Sequence, residues 1–125
     1  MKKRLNYIST AVFLFFLIPL AVSAMEYQHK LEVLDMTFSW SLDNEKIYVQ
    51  LSAKTTGWVG IGFDPEKAMQ GANFIIGAVK GDKFKVEDHY GDRKRGHSSD
   101  KKLGGTSAVL DASGSESDGI TTISF

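Results

Sequence analysis

The chain has 125 residues, 42% hydrophobic and 24% charged, with no Cys and two Pro, which excludes disordered, collagenous and disulfide-stapled classes. Lys2, Lys3 and Arg4 are the charged residues of the first 24, so the remainder carries 12 basic against 15 acidic residues, a net charge of −3. One mildly acidic domain is the most that residues 25–125 can form, and no nucleic-acid partner is expected of it.

Residues 1–24 read as a secretory signal. A basic head precedes the apolar run from Ala11 to Val22, and Ala21-Val22-Ser23-Ala24 places small residues three apart for a signal peptidase. The run is 12 residues long and Pro19 interrupts it, whereas a membrane span needs about 20. Cleavage after Ala24 is therefore expected, leaving a periplasmic or secreted chain without a stable membrane span. Without Cys, such a chain must hold any cofactor by His, Met, Lys, carboxylates or shape.

Beyond Ala24 the alternation is that of strands. Met36, Phe38, Trp40 and Leu42 alternate with polar residues, and so do Ile47, Val49, Leu51 and Ala53. With a turn at Asp43-Asn44 between them, residues 36–53 predict an antiparallel hairpin. Gly57-Trp58-Val59-Gly60-Ile61-Gly62-Phe63 follows, with Gly60 and Gly62 spaced by two. Glycine weakens a strand unless something must approach closely, so this face is a candidate contact surface, or else a bulge. Asp64-Pro65 ends the strand, and a loop through Met69 leads to the apolar run 74–79. Gly81-Asp82 marks a turn before a strand carrying Phe84, Val86 and Asp88 to Tyr90.

Residues 91–102 hold five basic side chains and no large apolar one, which predicts a solvated loop. Residues 80–102 carry eight basic and five acidic residues, a patch that either guides an acidic partner or simply keeps a loop soluble. Val109-Leu110 starts a further strand, Asp111 to Gly119 reads as a Ser/Gly/Asp turn, and Ile120 to Phe125 is rich in β-formers. No helical period appears. The fold class is all-β, an immunoglobulin-like antiparallel β-sandwich.

Three stretches carry a family resemblance: Gly57 to Phe63, then Met69-Gln70-Gly71-Ala72-Asn73-Phe74-Ile75-Ile76-Gly77, then Val86-Glu87-Asp88-His89-Tyr90. Together they resemble a DOMON domain, the likeness running from about Leu31 to Phe125. The resemblance implies a sandwich with further strands after Phe125, so residues 25–125 are expected to be an incomplete DOMON domain lacking the last strands. It also implies haem b binding and electron relay to a membrane cytochrome or fused oxidoreductase. Met69 falls at the family's axial-ligand position, the second ligand having no counterpart here; Trp58, Gly60, Gly62 and Tyr90 are expected beside the cofactor. Some family members resemble sugar-binding or monooxygenase-accessory modules, in which Trp58 and Tyr90 supply stacking surfaces and Met69 is packing.

Read from the residues alone, Met69 is either a gap filler or a soft ligand. His29, His89 and His97 are surface residues by default. Alternation puts His89 on the face opposite Asp88 and Tyr90, and His97 sits in the basic loop. No nucleophile with a base partner and no phosphate-cradling glycine loop is present, so independent catalysis is not expected.

Overall fold

The alternation of residues 36–53 folds as the pattern demands. A computed structural model describes residues 25–125, and the signal reading of residues 1–24 lies outside them. The strands are β1 (His29–Val33), β2 (Met36–Asp43), β3 (Lys46–Ala53), β4 (Trp58–Phe63), β5 (Asn73–Lys80), β6 (Lys83–Arg93), β7 (Gly96–Ser99), β8 (Ser113–Ser117) and β9 (Ile120–Ser124). A single 3-10 turn, Asp100–Leu103, follows β7. Every pairing is antiparallel, in one sheet of order β1-β2-β3-β9-β8 and another of order β4-β5-β6-β7. Two sheets built wholly this way make the all-β sandwich that the period-two patterns predict.

Inward positions follow from the register. Val49, Leu51, Val59 and Ile123 form a buried cluster, ringed by Met36, Phe38, Trp40, Ala53, Ile61, Val86 and Phe125. Burying each such aliphatic side chain contributes about 1.5–3 kcal/mol. β9 enters between β3 and β8 and supplies the inward-facing Ile123 and Thr121, neither with any exposure. Thr121 is polar, and its hydroxyl donates to the Thr55 carbonyl at 2.7 Å, which ties β9 to the link between the sheets. A buried hydroxyl without such a partner would cost about 1–3 kcal/mol.

The sheets are offset. β3 and β9 lie over β4, β9 also over β5, and β8 over β5 and β6. β1 projects past this overlap, so Leu31 and Val33 stay about half exposed, while Phe38 and Trp40 of β2 pack on the core and stack at 4.6 Å.

Three readings are corrected. The basic stretch 91–102 is not a loop throughout: β6 runs on to Arg93, and β7 pairs with it after the two-residue turn Lys94-Arg95. β7 is an edge strand with one neighbour, so strand pairing there needs backbone hydrogen bonds and no apolar face. Likewise Ser113–Ser117 is a strand, not part of a turn, whereas Val109-Leu110 lies in none. The turn is confined to Asp118-Gly119, both with positive φ (53° and 73°), the type I′ geometry that Asp-Gly favours. Gly114 hides the strand from a hydrophobicity reading, because its missing Cβ makes room for Phe84 and Val79.

Gly77 has the same role at the centre of the sandwich. A Cβ there would lie 2.7 Å from Cδ1 of Ile123 and 2.8 Å from its Cγ2. Gly77→Ala is expected to destabilise the domain by about 1–3 kcal/mol in urea unfolding, the usual cost of overpacking. The loss should be smaller in an Ile123→Val background, which removes the colliding Cδ1; equal losses would place the strain elsewhere.

Candidate ligand-binding end

The link between β4 and β5 is tied by a set of backbone hydrogen bonds. The amides of Glu66 and Lys67 donate to the Gln70 carbonyl at 3.0 and 3.3 Å, and the Gln70 amide returns to Lys67 at 3.1 Å. Asp64, Ala68 and Gly71 take positive φ values of 53°, 56° and 84°, and non-glycine residues in that region are held there by their surroundings. The Met69 amide donates to the Lys94 carbonyl at 3.2 Å, in the β6–β7 turn. Gly71 donates to Gly91 at 2.9 Å, and Gly91 to Ala72 at 2.8 Å.

Gly91 is what lets the loop dock. Its φ is not left-handed, but a Cβ built on it would occupy the position of the Met69 carbonyl. Met69 is thus fixed against the end of β6, half-buried and outside the core cluster.

The other expected site residues do not gather at one place. Val59 and Ile61 face the core, so Trp58, Gly60 and Gly62 face outward on the same strand. Trp58 is 70% exposed and pairs with Ala78, about 17 Å along the strand from the end where Phe63 meets Asn73. The space over Gly62 is taken by the Phe74 ring, and Ile76 crowds Gly60. Those glycines make room for side chains of β5. Tyr90 pairs with Asn73 and Ser98 on the inward-facing register, so it shares the Met69 end and not the Trp58 face.

Asp88 and Asp100 went unnoticed in the sequence as a pair. His89↔Ser99 and Tyr90↔Ser98 set the register, which brings Asp100 opposite Asp88. Asp88 is 5% exposed; its Oδ2 accepts the Ala108 amide at 2.6 Å, while Oδ1 of each residue is buried without a partner. The sequence did hold one signal, an acid at the inward parity of Phe84 and Val86. Burial, then the charge of Asp88, raises the Asp100 carboxyl above its ordinary value, with His89 acting weakly the other way. On the outward face, Nδ1 of His89 lies 2.9 Å from Nδ1 of His97, as the alternation of β6 requires.

Two open hollows of about 320 and 250 Å³ lie elsewhere. One surrounds the β2–β3 turn at Asp43 to Lys46, the other the hydroxyl-rich face at Gln50, Ser113 and Thr122; neither is lined by Met69, Trp58 or Tyr90. Among the described residues no helix is long and apolar enough to cross a membrane.

With this geometry in hand, the likenesses to known proteins are specific. The family model described as DOMON domain matches residues 33–125. The chain is 32% identical over 56 residues to human DBH-like monooxygenase protein 1, covering 45% of the chain and 9% of that protein. It is 36% identical over 56 residues to MOXD1 homolog 2 of Drosophila melanogaster, covering 44% of the chain and 7% of the relative. The match therefore spans less than a tenth of either relative. No solved structure matches significantly.

Two measurements check this arrangement. Gly91→Ala should destabilise the domain by about 1–3 kcal/mol and abolish slow exchange of the Gly71 amide, because backbone cannot rotate away as a side chain can. Asp100 binds its proton more tightly folded than unfolded. Its contribution is therefore favourable below pH 3.8 and is lost as pH rises from there through the raised value. Asp100→Asn should raise the urea midpoint at pH 7 and leave it nearly unchanged below pH 4.

Proposed function

We propose, from the premise that the chain belongs to the DOMON domain family, that it is an exported module binding haem b at the Met69 end and relaying single electrons. The family is one of binding domains, linked to haem or other ligands, and not catalytic in itself.

The observation that carries the reading is the placement of Met69. A filler methionine belongs in the core, yet this one stands outside it on a loop fixed by Gly91, Gly71 and the Lys94 carbonyl. A thioether suits one axial position of haem iron, and Tyr90 stands at the same end of the sheet. His29 stacks on Trp40 at 5.0 Å, and His89 is engaged with His97, so the proposal rests on Met69. When bound, haem supplies one-electron chemistry, with a thioether ligand raising its potential. The chain's part is to orient the sulfur and limit water at one face. A membrane cytochrome or a fused oxidoreductase is the partner such a relay needs, in the periplasm or outside the cell.

A second reading is favoured by Trp58, whose 70% exposure offers a flat apolar surface to a sugar ring or a neighbouring domain. The name of the human relative, DBH-like monooxygenase protein 1, accords with an accessory role of that kind.

Haem titration of the purified chain separates the two. Under the first reading, a Soret band appears that shifts on reduction, and Met69→Leu weakens binding by about tenfold or more, 1.4 kcal/mol. No Soret band, or one unaffected by Met69→Leu, would leave the second. Loss of sugar or domain binding in Trp58→Ala would then support it.

A further inference from the structure

We propose that His89 and His97 form the protein half of a site for a divalent late transition-metal ion, Cu(II) by preference, on the outward face of the four-stranded sheet. This does not rest on the haem reading.

The two imidazoles are eight residues apart, and the β6–β7 hairpin folds them together. His89 pairs with Ser99, which makes His97 its diagonal neighbour on the same face, and the rings meet edge to face with centroids 4.9 Å apart. Their Nδ1 atoms are 2.9 Å apart. Two nitrogens each about 2.0–2.1 Å from an ion are about 2.9 Å apart if they subtend a right angle, and about 3.3–3.4 Å apart at the tetrahedral angle. That spacing, set by the hydrogen bond between the rings, lets one ion engage both nitrogens at adjacent positions once the rings turn toward it, and the Irving–Williams order favours copper.

The surroundings suit ligation. Oε2 of Glu87 lies 3.8 Å from Nε2 of His89, on the far side of the ring. A carboxylate there favours the proton on Nε2 and leaves Nδ1 as a lone pair, the arrangement that supports histidine ligands. Without metal, His97 then donates from Nδ1. The ion takes the place of that hydrogen bond, and His97 carries its proton on Nε2 instead. Phe74 packs 5.5 Å from the His97 ring and limits its freedom. No group of three or more His, Cys, Asp or Glu gathers as a metal cage among the described residues, so the remaining positions fall to water or an added ligand.

Cu(II) titration of the metal-free, haem-free chain tests this by calorimetry and electron paramagnetic resonance. One equivalent should bind, with an axial spectrum showing two equatorial nitrogens. His89→Gln and His97→Gln should each weaken binding at least tenfold, whereas His29→Gln and Met69→Leu should leave it unchanged. Uptake that survives both His89→Gln and His97→Gln would overturn the proposal. So would the absence of saturable uptake, or of nitrogen coupling in the unaltered chain, a readout that stands even if a variant fails to fold.

Discussion

Ile123 has no exposure, and the room for its side chain against the second sheet exists because Gly77 has no Cβ. This one approach sets the spacing of the layers where β9 crosses β4 and β5. Beside it, Thr121 reaches the Thr55 carbonyl and fastens β9 to the link between the sheets. Once that spacing is set, Val49, Leu51 and Val59 can close on one another. The register of β5 and β6 then determines which residues look inward.

The outer features inherit that choice. Because Val86 and Asp88 face the core, His89 must face solvent, where the hairpin return brings His97 against it. Because Gly91 ends the paired stretch without a Cβ, the Met69 carbonyl can lie against β6, with Met69 half-buried and outside the core cluster. Two chemically distinct places thus arise from one strand, a methionine loop docked at its end and an imidazole pair on its outer side. The buried Asp88 holds the segment after β7 near that strand through the Ala108 amide, while Oδ1 of Asp88 and that of Asp100 are left without a partner.

How much was legible depended on whether a residue's role is local. The hairpin of residues 36–53 shows in its alternation, because one face must be apolar for the sheet to bury anything. β7 and β8 do not show, since edge strands rich in Ser, Gly and charge satisfy their backbones without an apolar face. Gly60 and Gly62 announce a close approach, but a sequence does not say by what; the answer is Phe74 and Ile76. Trp58 and Tyr90 look like one aromatic surface until parity sets them on opposite faces.

By itself the sequence determined the β class, the strand faces of β2 and β3, the face of His89 in β6 and the position of Met69 after the glycine-rich strand, because these follow from spacing along one chain. The family membership was legible for the same reason. Only the tertiary structure decided that Asp100 meets Asp88, that His97 meets His89 and that Gly91 admits the Met69 carbonyl. Each of these depends on a bulge or a turn that sets the register between separate segments, and register is a property of pairing that no single stretch of chain contains.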